Sequence, residues 1–193
     1  MTPETRQRAH TVGVLVVAVA LAAVNLRPGA TSVGPVLEEL RSTLGMGSGA
    51  AGLLTALPPL CFGFGGAVAV ALARRIGLSG GITLGLVTAT AALLLRVTNA
   101  VEPVFLALTV VALLAMALGN VLVPAWVKHD GAGSEVVLMT VYSTALIVGG
   151  TLGSLVTAPI AGSLGGWRVA LGGWAVLAAL ALPLWLWLAA HER

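Results

Sequence analysis

Residues 12–36 read VGVLVVAVALAAVNLRPGATSVGPV, an apolar run that takes in a single charge, Arg27, directly before Pro28. At 1.5 Å per residue, a helix over this stretch is about 37 Å long, and the hydrocarbon core of a bilayer is about 30 Å thick. The stretch therefore predicts a membrane-spanning helix that carries a guanidinium group inside it.

The composition of the chain extends this prediction to an all-α membrane protein. Of its 193 residues 58% are hydrophobic and 9% charged, whereas soluble domains carry about 25% charged residues. Long uncharged runs should be helices, because lipid requires every backbone polar group to be paired within its own segment. The runs are apolar on all sides, which excludes a transmembrane β-barrel. The six predicted spans are residues 12–36, 49–73, 76–95, 103–127, 136–162 and 169–190.

Charges outside the spans predict the orientation of the chain. Residues 1–11 and 191–193 form tails, and an excess of basic residues on their side places both termini in the cytoplasm of the cell. The inner side would hold Arg6, Arg8, Arg74, Arg75, Lys128 and Arg193, and the outer side Arg41, Arg96 and Arg168. A signal peptide is the rival interpretation of the first span, since a basic tail precedes it and VAVALAA offers small residues for cleavage.

The tryptophans agree with these boundaries. Four of them lie near predicted span ends, where an aromatic belt would place them: Trp126, Trp167, Trp185 and Trp187. The loops are too short to form an extramembrane domain, so function is expected among the helices.

Arg27 is the leading candidate for a functional residue. A guanidinium deep in a span costs about 2.5–3.5 kcal/mol on insertion scales. It could extend toward the nearer membrane surface, its stem covering apolar surface. Against that alternative, Pro28 lacks an N–H group, so the carbonyl of Val24 loses its helical partner and a kink forms beside the charge.

Helical spacing gives this span two polar faces. Asn25, Gly29 and Ser32 share one face, while Arg27, Thr31 and Gly34 share the other. Both faces cannot point at lipid, so the span should line a hydrated path or a packed polar site.

Other spans offer companions for Arg27 in a solute-binding cavity. The cavity residues predicted are Arg27, Asn25, Thr31, Asn120, Tyr142 and Thr144. Positions expected to kink or pack helices are Pro28, Gly29, Pro58, Gly149 and Gly153. Interhelical hydrogen bonds are the alternative role for each hydroxyl. No Asp or Glu lies inside a predicted span, so the charge of Arg27 points to an anionic or strongly dipolar solute.

Enzyme chemistry has little support in the chain. GLSGG at residues 77–81 matches a hydrolase nucleophile elbow, but His10, His129 and His191 all lie in tails or loops. His129 could share the cytoplasmic face with Ser79, yet a catalytic dyad would need a histidine buried on a neighbouring helix. Ser79 is predicted to be a helix N-cap instead. No cofactor or metal site is expected, since three scattered histidines and the lone Cys61 make no ligand set, and the small net charge of +3 suggests no nucleic-acid partner.

Several ordered motifs resemble the N-terminal half of the cyanate and 2-nitroimidazole permease family of the major facilitator superfamily. They are NLRPGATSVGPVLEELRSTLGMGSGAAGLLTALPPLCFGFGG, GNVLVPAWVKHD, MTVYSTAL and GWRVALGGWA. The resemblance implies twelve helices in two halves, with three-plus-three repeats and with the first and fourth helices of each half facing the cavity. The loop ALARRIGLSGG departs from the superfamily pattern, because it keeps only the basic part of its charged motif.

This resemblance implies alternating-access transport of a small anionic or polar solute, such as cyanate or a nitroimidazole. Only one half of such a machine is present, so the chain is expected to be a fragment or truncated product, one part of a split transporter, or a homodimer of halves. A C-terminal half or a second copy would close the cavity within the bilayer. A non-transporting assembly or regulatory subunit is the alternative class.

Overall fold

A computed structural model describes residues 3–131 and 133–191, with side chains described from Val12 onward. It confirms the all-α prediction: there is no strand in the described ranges, and six helices are long and apolar enough to cross a membrane. The elements are α1 (Pro3–Val24), α2 (Pro28–Thr31), a 3-10 turn (Gly34–Val36), α3 (Leu37–Leu44), α4 (Ser48–Ile76), α5 (Leu78–Thr98), α6 (Glu102–Asp130), α7 (Glu135–Leu164) and α8 (Trp167–His191).

The first span is interrupted at the position of the arginine. Helix α1 ends at Val24, and the next two N–H groups, of Asn25 and Leu26, bond three residues back at 3.1 Å, which tightens the last turn. Pro28 then opens α2, where its missing N–H leaves no donor unpaired. The span therefore consists of a long lower helix and a short upper one, joined at Asn25–Arg27.

Part of the helix pairing follows an internal repeat. Helix α5 lies at the centre against α6 and α8, while α1 packs on α7 and α4 packs on α6. When the first three spans are exchanged with the last three, α1 takes the place of α6 and α7 that of α4, so the α1–α7 pair corresponds to the α6–α4 pair. The same exchange turns the α5–α8 pair into itself. In its most apolar stretch α5 is 56% buried, against 22% for α4 and α7. Helices α4 and α7 are thus the least covered of the six spans.

Tryptophans hold the bundle from inside. Trp126 and Trp185 meet edge to face at 5.1 Å, and the Trp185 indole donates to the carbonyl of Ala18 at 3.0 Å. Trp126, Trp167 and Trp185 are each at most 2% exposed, so the aromatic-belt prediction is wrong for these three and stands only for the half-exposed Trp187. Nearness to a span end does not reveal which side of the helix faces the bundle.

Ser79 also differs from its prediction. The N-cap of α5 is Gly77, at φ +79°, and Ser79 is the second residue of the helix. Its buried hydroxyl has no hydrogen-bond partner in the described part of the chain. Glycine can adopt this φ without the strain that a side chain would bring, so it begins the helix in place of the serine.

Candidate functional site

An open groove of about 520 Å³, which we call the Arg27 groove, lies between the first span and α7. It is lined by Arg27, Thr31, Leu146, Ile147, Gly150, Thr151, Ser154 and Leu155. One guanidinium, several hydroxyls and an aliphatic wall face the same space. Such a surface can bind a small solute by charge and hydrogen bonds while excluding water from its apolar side.

The kink sorts the two polar faces of the first span. Asn25 and Ser32 are buried, and the Asn25 amide donates to the carbonyls of Leu21 at 2.6 Å and of Leu177, on α8, at 3.2 Å. Arg27 and Thr31 are on the other face, with Arg27 exposed and the Thr31 hydroxyl donating to the Arg27 carbonyl at 3.3 Å. The face with Asn25 and Ser32 therefore packs against other helices, and the face with Arg27 and Thr31 lines the groove.

Glycines on α7 bring this helix close to the first span, and one of them, Gly150, lines the groove. A β-carbon on Gly149 would overlap the carbonyl oxygen of Val24, and one on Gly153 would lie 3.0 Å from the α-carbon of Pro28. The C–H bond that replaces a β-carbon on Gly149 points at that oxygen, so it offers a weak partner to the carbonyl that Pro28 leaves without its N–H. On Gly150, a β-carbon would stand 3.4 Å from Cβ of Arg27.

The charge of Arg27 is not neutralised by the described residues. No carboxylate lines the groove, and the two described ion pairs, Arg41 with Glu38 and His129 with Asp130, lie elsewhere. The Arg27 side chain makes no described hydrogen bond, in contrast to a snorkelling arginine that ends on a carbonyl. The free guanidinium is therefore available to an anionic or dipolar group.

The remaining cavity candidates do not line this groove. The Tyr142 hydroxyl donates to the Asn120 carbonyl at 3.2 Å and lies 3.4 Å from its Oδ1, which joins α7 to α6. Thr144 is in a second groove of about 580 Å³, beside Lys128 and Glu135. Pro58, expected to kink or pack a helix and not to line the cavity, lies inside the continuous helix α4. Of the predicted cavity set, only Arg27 and Thr31 share the Arg27 groove.

Sequence reasoning missed three groove residues on α7: Gly150, Thr151 and Ser154. The sequence held a signal for them, because they lie three, four and seven residues after Ile147 and so share one face of a helix. Two of them are polar within a span. The G-x-x-x-G step at Gly149 drew attention to the adjacent face of the same helix.

A second arginine was misplaced by the sequence analysis. Arg96, counted among the charges on the outer side just past the span 76–95, lies in the last turn of α5 and is 0% exposed. Its Nη1 donates to the Gly29 carbonyl at 3.4 Å, and its guanidinium lies 5.8 Å from the centre of the Phe105 ring. The error arose because α5 continues past the predicted span end, and this last turn packs inside the bundle.

Comparisons with known proteins point to transporters. The chain is 37% identical over 173 residues to the uncharacterized transporter YycB of Bacillus subtilis, and 32% identical over 173 residues to the 2-nitroimidazole transporter of Escherichia coli. It is 28% identical over 172 residues to the cyanate transport protein CynX of Escherichia coli. These alignments cover 89%, 90% and 89% of this chain but 43%, 44% and 45% of the relatives. No family model matches the chain.

These relatives confirm the resemblance found in the motifs. Their names are those of transporters, and the chain spans less than half the length of the curated relatives it matches. Together with its six apolar helices, this makes the chain a multi-pass membrane protein.

Proposed function

We propose that this chain binds a small anionic or strongly dipolar solute in the Arg27 groove and carries it across the cell membrane by alternating access, as one half of a transporter. The observation that supports the proposal is the exposed, unpaired guanidinium at a helix kink. In a hydrocarbon environment such a charge is costly, and residues of this kind mark solute pathways.

The chemistry of the groove fits solutes of the size that two relatives are named for. The linear cyanate ion and the planar nitro group both present partially or fully negative oxygen, which a guanidinium binds through parallel N–H donors. Thr151 and Ser154 add hydroxyls on the opposite wall. The aliphatic residues of α7 would contact the remaining apolar part of the solute.

Orientation and assembly belong to the same proposal. The end of the bundle with Arg74, Arg75 and Lys128 would face the cytoplasm, since basic residues are retained on that side. A separate C-terminal half or a second copy would cover the open side of the groove, so that Arg27 faces a hydrated path rather than lipid.

Solute binding to the chain in proteoliposomes tests the proposal. Radiolabelled cyanate and 2-nitroimidazole would be titrated against wild type, Arg27→Ala, Arg27→Lys and a Ser79→Ala control. We expect saturable binding of at least one probe to wild type and to the control, with affinity lowered at least about tenfold in Arg27→Ala, the effect of about 1.4 kcal/mol. Arg27→Lys should be intermediate, because it keeps the charge without the planar fork. Unchanged affinity in Arg27→Ala would contradict the site.

A further inference from the structure

We propose that Arg96 is a positioning residue: it holds the kink of the first span through the Gly29 carbonyl and so directs Arg27 into the groove. This inference rests on the proposed function for its effect on solute binding. Its effect on the shape of the kink can be measured separately.

The Gly29 carbonyl is left free by the way the kink is built. The carbonyls of Arg27 and Pro28 accept the backbone N–H groups that follow them, but no backbone donor in the described chain pairs with that of Gly29. Arg96 supplies the donor across the bundle, from Nη1 at 3.4 Å. The bond joins α5 to the first residues of α2, immediately after Arg27.

Gly29 allows α5 and α6 to pack closely against the backbone at the kink. A β-carbon on Gly29 would overlap Cε of Met116 and lie 3.5 Å from Cδ2 of Leu93. Without a side chain, Gly29 lets α6 and α5 close on the backbone of α2. Leu93 is one turn before Arg96 on α5, so the surface that contacts Gly29 also carries the guanidinium that bonds it.

A role in stability alone does not account for Arg96. Its Nε and Nη2 atoms are buried and have no hydrogen-bond partner in the part of the chain that the structure describes. No described ion pair includes it, and only the ring of Phe105 lies under the guanidinium. Unpaired buried donors oppose folding, and apolar replacements of buried charged groups are often neutral or stabilising. What Arg96 contributes is therefore the position of the kink.

Labelling of the groove tests the effect on the kink. In a Cys61→Ala background, Thr31→Cys in proteoliposomes would react with a water-soluble maleimide at a rate set by the position of α2. We expect Arg96→Met to change that rate several-fold while its thermal unfolding temperature stays at or above that of the parent. Arg96→Lys, which keeps a charged donor, should move the rate back toward the parent value. Arg41→Met removes a different arginine, on α3, and should leave the rate unchanged.

Solute affinity tests the positioning role. It is measured with cyanate and 2-nitroimidazole in variants that keep the natural Thr31. Arg96→Met should weaken binding at least about fivefold. If folded Arg96→Met is labelled at the same rate as the parent, the proposal is overturned. It is also overturned if the labelling rate changes but the solute affinity stays that of the parent, provided that Arg27→Ala has lost binding. If Arg96→Met does not fold, Arg96→Gln, too short to reach Gly29, decides by the same two measurements. If Arg27→Ala binds normally, the proposed function fails, and the labelling rates alone still decide whether Arg96 holds the kink.

Discussion

Arg27 and Arg96 lie on either side of the same kink, in opposite surroundings. Arg27 is exposed in a groove and has no described partner, whereas Arg96 is fully buried and donates to a peptide carbonyl. A cation that is exposed and retains all its donors can bind a guest, while a fully buried one that donates to a carbonyl can hold that part of the backbone in place. The division of roles between the two side chains follows from their partners.

Tyr142 is the residue at which this reasoning makes a negative prediction. Its hydroxyl is used by Asn120, so Tyr142→Phe should leave the affinity for cyanate and 2-nitroimidazole within about twofold of wild type. Stability should fall slightly, by about 0.6 kcal/mol, the average for a hydrogen bond between membrane helices. Titration of both probes and thermal unfolding would measure the two effects, with the exposed Thr140→Val on the same helix as control. A tenfold loss of affinity would instead place the hydroxyl in the solute site.

At the scale of the helix, the kink and its partner on α7 form one unit. Pro28 and the G-x-x-x-G step are local signals, so the sequence could indicate both a break in the first span and a close helix contact. That the contact joins these two features depends on the pairing of α1 with α7, which is tertiary. Helical spacing places Thr151 and Ser154 on one face of α7, but that this face meets Arg27 depends on the same pairing. The contact of Asn120 with Tyr142, away from the Arg27 groove, is tertiary in the same way.

Gly149 tests how closely the two helices must approach. In Gly149→Ala the new methyl group would meet the backbone carbonyl of Val24, which cannot rotate away, so the helices must separate. We expect the free energy of unfolding to fall by about 1–3 kcal/mol or more, as at other overpacked sites, and the unfolding temperature in detergent to be lower. Gly162→Ala is the matched control, since it lies on the same helix with nothing within 4 Å of its added carbon. Equal unfolding temperatures for the two variants would contradict the contact.

At the scale of the whole molecule, α4 and α7 are the least covered spans. Six spans and their helical class follow from composition, because apolar runs in lipid have one main solution. Burial does not follow from composition: the runs are apolar all round, and only the folded bundle shows that α4 and α7 are the least buried. The Arg27 groove opens along α7, one of these two helices. Lipid against it would leave a charge and several hydroxyls unsolvated, which favours a protein partner there.

Cysteine cross-linking in membranes can reveal such a partner. In the Cys61→Ala background, Ser154→Cys places a thiol in the groove, and a short bismaleimide should link it to a second copy or to a separate half that carries an accessible cysteine. Val176→Cys, 59% exposed on α8 and lining neither groove, is the control position. We expect a larger product several-fold more abundant for Ser154→Cys, because a partner that closes the groove holds its surface within the reach of the reagent. A product of twice the mass indicates a homodimer of halves, and one of different mass a separate half. Equal yields at the two positions would mean random collision in the bilayer and would contradict a partner at this side.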